Sequence, residues 1–216
     1  MIVTTHQLYK GFTQPLLQDI NLEIPAGDIV LLLGESGSGK STLLNLLAGL
    51  QLPDSGEICV AGNPLHAMND HQRTLVRRRH IGFVYQHYNL IPTLTVEQNL
   101  RLPLQLNRIQ ERDEKPAALL EAVGLIDKAQ RMPASLSGGE QQRVAICRAL
   151  IHKPTLMLAD EPTGSLDNIT ARAVIQVMFE QVRKLGQTLL IVSHNEALQT
   201  LTDQSYRLHD GRLIKI

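Results

Sequence analysis

The run Gly34-Glu35-Ser36-Gly37-Ser38-Gly39-Lys40-Ser41 combines spaced glycines with a terminal lysine and hydroxyl. It stands between the apolar run Ile29–Leu33, read as a buried strand, and Ser41–Leu50, whose leucines suit a buried helix. Glycines at this spacing let successive N–H groups curl around phosphate oxygens, and a helix N-terminus adds a favourable dipole. In such a loop Lys40 supplies a point charge to the β- and γ-phosphates. The Ser41 hydroxyl is placed to ligate Mg²⁺, and Thr42 follows in the same turn. The chemistry predicted is the binding of a nucleoside triphosphate with its magnesium ion.

Two further segments add to that chemistry. Leu156-Met157-Leu158-Ala159-Asp160-Glu161 is an apolar strand ending in two acids. At the strand end of a phosphate-loop enzyme, Asp160 is expected to hold Mg²⁺ through its water shell, and Glu161 to polarise an attacking water as general base. Leu136-Ser137-Gly138-Gly139-Glu140 places a hydroxyl and glycine N–H groups at the start of a helix, which makes a second anion site. A chain with one phosphate loop has no evident need for a second site of its own.

That segment resembles the LSGGQ/LSGGE signature of the ABC-transporter ATPase family, and the likeness runs along nearly the whole chain. The resemblance implies that Ser137, Gly138, Gly139 and Glu140 close over ATP held by a second copy. It implies that Gln86, after the predicted strand Ile81–Tyr85, reaches Mg²⁺ and the attacking water and senses a membrane partner. Ser165-Leu166-Asp167 is similar to the loop that runs along the dimer interface, with Asp167 facing the partner's nucleotide. His194, past the predicted strand Thr188–Val192, is similar to the histidine that contacts the γ-phosphate. Phe12 aligns with the aromatic that stacks on adenine, with Tyr9 as the alternative if the register shifts. Catalysis is thereby expected of Glu161, His194, Lys40 and Gln86, and metal binding of Ser41, Gln86 and Asp160.

The elements that must position these residues are legible in outline. Ile2–Leu8, Leu17–Ile24 and Ile58–Ala61 read as strands, and Thr95–Leu106, Asp113–Val123, Gln141–Ile151 and about 170–185 as helices. Thr155–Ala159 and Thr188–Val192 return to buried-strand character. The predicted fold is α/β: a phosphate-loop NTPase (RecA-like) core with an N-terminal antiparallel β subdomain and an inserted helical subdomain carrying the signature. Residues 1–86 and 154–216 are assigned to the strands and core, and 87–153 to the helical part.

The bulk numbers bound the partners. The 21 basic and 21 acidic residues cancel, so nucleic acid is not an expected partner. No apolar run approaches the roughly 20 residues that span a bilayer, and the N-terminus lacks the plan of a signal peptide. Cys59 and Cys147 have no metal-ligand spacing. The expectation is a cytoplasmic homodimer, peripheral on the inner face of the membrane through a separate membrane subunit docking near Gln86–Pro103. The stretches Ile81–Gln86, Leu90-Ile91-Pro92 and Asp160–Asp167 resemble the lipoprotein-releasing, macrolide-efflux and FtsE-like branch, which implies export, lipoprotein release or mechanotransmission. An import ATPase and a soluble ABC ATPase of DNA repair or translation are the alternatives. The run Arg77-Arg78-Arg79-His80 is either a solvated helix end or a surface facing lipid headgroups.

Overall fold

The computed structural model describes residues 1–110 and 116–216. Strand β1 (Val3–Gly11) pairs antiparallel with β2 (Pro15–Ile24) and with β4 (Ser55–Val60), which turns back into the short β5 (Asn63–Pro64). They form one sheet in the order β2-β1-β4-β5. A second sheet is built from β3 (Ile29–Gly34), β6 (Ile81–Val84), β7 (Leu156–Asp160), β8 (Thr188–Val192), β9 (Gln204–His209) and β10 (Arg212–Lys215). Its order is β10-β9-β3-β8-β7-β6, parallel throughout except for the β9–β10 hairpin. The helices are α1 (Lys40–Leu47), α2 (Asp70–His80), α3 (Val96–Asn107), α4 (Pro116–Ala122), α5 (Gly138–Leu150) and α6 (Asn168–Lys184).

The central strands are apolar without interruption because both of their faces are covered. Side chains alternate across a strand. Val30, Leu32, Leu156, Leu158, Leu190 and Val192 therefore point to one side, where they meet α1 and the inner face of the antiparallel sheet. Ile29, Leu31, Leu33, Met157, Ala159, Leu189 and Ile191 point to the other, against α5 and α6. Each such fully buried Val, Leu, Ile or Met side chain contributes about 1.5–3 kcal/mol. A third cluster joins Val96 and Leu100 of α3, Leu120 of α4, and Val144 and Cys147 of α5. Helix α5 thus has two buried sides: Ile146, Ala149 and Leu150 reach the sheet while Val144 and Cys147 hold the neighbouring helices.

The α/β architecture, with its antiparallel sheet and mostly parallel core, is the one expected. Local differences have identifiable causes. Helix α5 begins at Gly138, ahead of the expected Gln141, because Ser137 caps it and Glu140 closes a capping box. Asp167 likewise starts α6 at Asn168, accepting from the Ile169 and Thr170 N–H groups. Arg77–His80 is the last turn of α2, in line with the helix-end reading; the rest of this helix gives no apolar stripe since only Val76 is buried on it, and an Asn69–Gln72 capping box defines its start. The helix expected over Asp113–Val123 begins outside the described residues, which carry α4 from Pro116 onward.

Candidate nucleotide site

The register of the parallel sheet brings the acids and the histidine together. Asp160 stands opposite Val192 on neighbouring strands β7 and β8. The residues one and two steps past those strand ends, Glu161 and His194, therefore emerge side by side. Glu161 Oε2 lies 3.0 Å from His194 Nδ1, and the Glu161 N–H donates to Val192 O at 3.1 Å. Glu161 adopts φ 45°, a left-handed conformation that a non-glycine residue holds only when its surroundings enforce it. Here the Glu161 carbonyl also accepts from Gly164 N–H at 3.0 Å, which closes the turn and sets the direction of the side chain. The His194 side chain is 74% exposed, so one face of the pair is open to an incoming group.

The phosphate loop leaves β3 beside β8 and enters α1. Lys40, buried to 8% exposure, donates from Nζ to Gly34 O at 2.8 Å and Glu35 O at 2.7 Å, drawing the loop around its ammonium. Gly39, at φ 102°, is the N-cap of α1, and a Cβ there would stand 2.9 Å from Leu17 Cδ2. Both conformation and space therefore demand glycine. Ser38 Oγ is buried with no hydrogen-bond partner among the described residues. A buried unpaired hydroxyl costs free energy, and an anion within the loop would satisfy it.

Ser41 Oγ donates to Asp160 Oδ1 at 3.1 Å, across the cleft between loop and acid strand. Hydroxyl, carboxylate and the Gln86 amide are all hard oxygen donors facing one space, the set Mg²⁺ prefers. The residues fit that ion together with a triphosphate. The cleft encloses about 480 Å³ and is lined by Lys40, Ser41, Thr42, Gln86, Asp160, Glu161 and His194, with Ser36, Gly37 and Gly39 of the loop. Leu16, which the sequence reading did not single out, supplies an apolar wall. Glu35 belongs to the same loop through its carbonyl, and its residue is exposed.

Phe12 stands apart from this lining, 65% exposed in the turn between β1 and β2, with Lys10 Nζ 5.5 Å from its ring centre. Lys10 is itself held by Asp54 at 2.7 Å. Tyr9 is half-buried and paired with Ser55 in the sheet, so of the two aromatics Phe12 presents the free face.

Ser137, Gly138, Gly139 and Glu140 do not line the cleft. Ser137 Oγ accepts from Glu140 N–H at 3.4 Å, and Glu140 Oε2 accepts from Ser137 N–H at 2.8 Å. Glu140 Oε1 pairs with Lys128 Nζ. That ion pair, then the Ser137 N–H, holds the Glu140 carboxyl below the usual carboxylate range. A Cβ on Gly139 would come 2.3 Å from Thr170 Cγ2, so only glycine lets α5 start this close to α6. Asp167, similarly lowered by the hydrogen bonds around Thr170, remains an anion at the head of α6.

Other positioning residues carried no sequence signal. The Arg148 guanidinium donates to Asn89 O at 2.5 Å and Tyr88 O at 3.0 Å, and burial lowers its pKa. Both acceptors sit in left-handed conformations, φ 49° for Asn89 and 60° for Tyr88, just beyond Gln86. Gln142, fully buried, donates to Tyr85 O at 3.3 Å. Two side chains of α5 thereby hold the loop that carries Gln86, and neither was singled out on a helix read for its apolar spacing.

A second groove of about 250 Å³ runs between the end of α2, β6 and the last turn of α3, lined by Phe83, Leu102, Pro103 and Leu106 with Arg77, Arg78 and His152 at its edges. Arg77 is tied down by Gly49 O and Thr74 Oγ1, each at 2.6 Å, while Arg78 and Arg79 are exposed.

Comparison with known proteins agrees with the geometry. A family model described as ABC transporter matches residues 17–164. An uncharacterised ABC transporter ATP-binding protein of Mycobacterium tuberculosis is 46% identical over 201 residues, covering 92% of this chain and 81% of that protein. The lipoprotein-releasing system ATP-binding protein LolD of Legionella pneumophila is 42% identical over 220 residues, covering 99% and 97%. The dimeric structure of MJ0796, a bacterial ABC transporter cassette, superposes with a TM-score of 0.86 at 34% identity, over 99% of this chain and 98% of that one. The same cassette in a post-hydrolysis state bound to ADP and Pi gives 0.85 at 33% identity, over 99% and 98%. With its phosphate loop, acid strand and signature helix on this fold, the chain belongs to the ABC transporter family, as an ATP-binding and ATP-hydrolysing subunit.

Proposed function

We propose that the chain works as one half of a two-fold dimer that buries two Mg-ATP between the phosphate loop of one copy and Ser137–Glu140 of the other. The observation that carries this reading is the separation within one chain: Lys40, Ser41, Asp160, Glu161, Gln86 and His194 share a cleft, and the signature is not part of its lining. Ser137 at the N-cap is exposed and heads a helix, a start that suits an anion brought by another molecule. The likeness to a dimeric cassette structure supports a dimer.

In this mechanism the loop N–H groups, Ser38 and Lys40 hold the β- and γ-phosphates. Ser41, Asp160 and Gln86 would hold Mg²⁺, which supplies charge neutralisation to the phosphate oxygens. Glu161 accepts the proton of the attacking water, and His194, hydrogen-bonded to it, fixes the carboxylate and contacts the γ-phosphate. Phe12 stacks on the adenine. Asp167 lies along the interface between copies. The γ-phosphate contacts both copies, so ATP favours the closed dimer by differential affinity, and hydrolysis releases it.

The output is motion delivered to a separate membrane subunit at the inner face of the cytoplasmic membrane. No helix among the described residues is long and apolar enough to cross a membrane. The groove beside Phe83, Leu102 and Leu106 offers an apolar seat with arginine edges for a short helix of that subunit. It lies alongside β6, and Arg148 reaches from its wall to the Gln86 loop. Export, lipoprotein release or mechanotransmission is the role favoured by the resemblance and by the LolD likeness.

Mixing a Ser137→Arg chain with a Lys40→Ala chain tests the shared site. Each parent is expected to be inactive, and the mixture to regain hydrolysis from a single working site per heterodimer. Two equally active sites, or a mixture as inactive as its parents, would refute the arrangement.

A further inference from the structure

The signature helix of this chain carries a fixed negative charge where an anion is to bind. Glu140 is ionised, and its carboxylate lies in the first turn of α5, bonded to the N–H of Ser137. A bare carboxylate there cancels the attraction of the helix terminus for a second anion, since like charges in one turn repel. The structure supplies a counter-charge from outside the helix. Lys128, in the short 3₁₀ turn Ile126–Lys128, places its ammonium on Glu140 Oε1, with 34% exposure for the lysine side chain and 18% for the glutamate.

The position of Lys128 is itself held. Its own N–H donates to Leu125 O at 3.0 Å, its carbonyl accepts from Arg131 N–H at 2.9 Å, and Leu125 is buried in the helical cluster that also receives Val144 of α5. The lysine is thus anchored on the same packed cluster as the signature helix. The two oxygens of Glu140 are divided between one N–H and one ammonium. The glutamate closes the capping box, and the lysine balances its charge at the head of the helix.

We propose that Lys128 is a positioning residue for the shared ATP site: it neutralises Glu140 so that the Ser137–Gly139 terminus can accept the triphosphate of a second copy. This rests on the dimer reading above. A glutamine at position 140 would keep the capping box without the charge, because glutamine serves that position as well as glutamate. The lysine is therefore needed only while the acid is present.

The test measures the half-saturating ATP concentration for hydrolysis in the full chain, with Mg²⁺, and the thermal midpoint of each variant. Lys128→Gln is expected to raise half-saturating ATP about tenfold, the scale of a lost charge-pair interaction, while Lys128→Arg keeps it. Adding Glu140→Gln to Lys128→Gln is expected to lower the value again, by at least about threefold relative to Lys128→Gln alone. A merely structural ion pair predicts the opposite, since the double variant lacks the pair and would remain impaired. The proposal is overturned by a Lys128→Gln chain that saturates like the starting chain, or by a double variant as weak as Lys128→Gln. A Lys128→Gln chain that loses its cooperative thermal transition also overturns it, unless the double variant hydrolyses ATP normally. Ser137→Arg separates the two ideas: if it leaves hydrolysis intact, the dimer reading itself fails. If it abolishes hydrolysis and Lys128→Gln changes nothing, only the role of Lys128 fails.

Discussion

At the scale of single residues, the candidate chemistry concentrates on Glu161. Its left-handed backbone is held by bonds to Val192 and Gly164, and its carboxylate is 3.0 Å from an exposed imidazole. Strain of this kind persists where the surroundings over-determine a residue, and here it aims a carboxylate into the cleft. Glutamine keeps the shape and the hydrogen bond to His194 while losing the basicity. Glu161→Gln is therefore expected to bind ATP as before, lower turnover by about 10²–10⁴-fold and accumulate as a nucleotide-bound dimer. Equilibrium nucleotide binding, steady-state hydrolysis and sedimentation check the three parts, and normal hydrolysis would remove Glu161 from the role of base.

At the scale of elements, α5 links the parts that must act together. Its head is the signature, its middle holds the loop after β6 through Gln142 and Arg148, and its far end packs on the sheet. The chain leaving that end carries His152, whose Nε2 bonds Ile81 O at 3.2 Å at the edge of β6. Burial pushes the His152 imidazole below its ordinary value of 6.5. The unfolded chain therefore binds a proton near pH 6.5 that the folded chain refuses. The stability contributed is fully present above that pH and is lost as pH falls toward the folded value. The thermal midpoint is expected to decline on acidification from pH 7.5 to 5.5, and His152→Phe to flatten that part of the decline. Parallel curves for the two proteins would show that His152 is not the group responsible.

At the scale of the whole molecule, the proposed dimer would join two parts of a site that one chain keeps apart. The cleft has loop, acids, Gln86 and His194, and the signature stands elsewhere on the surface. In that dimer isologous pairing would complete both sites at once, each copy giving its signature and receiving its partner's. Specific ATPase activity is consequently expected to rise with chain concentration and to level off when dimers form. Activity measured by dilution series, with sedimentation in parallel, checks this. A rate proportional to concentration throughout the monomer range would mean that one copy suffices.

Much of the chemistry was legible in the sequence alone, because it depends on short local patterns. The Gly34–Ser41 loop, the Asp160–Glu161 pair and the Ser137–Glu140 segment each sit at the end of one strand or the start of one helix, where identity and spacing decide the backbone geometry. The buried strands Ile29–Gly34 and Thr188–Val192 were legible for the same reason. Of helix α2 only the basic end was, since its start is set by a capping box and it buries one valine rather than an apolar stripe. Only the tertiary structure decided which distant residues meet. The register of β7 on β8 set Glu161 against His194, the approach of α5 to the β6 loop gave Arg148 its carbonyls, and the 3₁₀ turn at Lys128 met Glu140. Such contacts are fixed by strand order and helix packing, which no local spacing encodes.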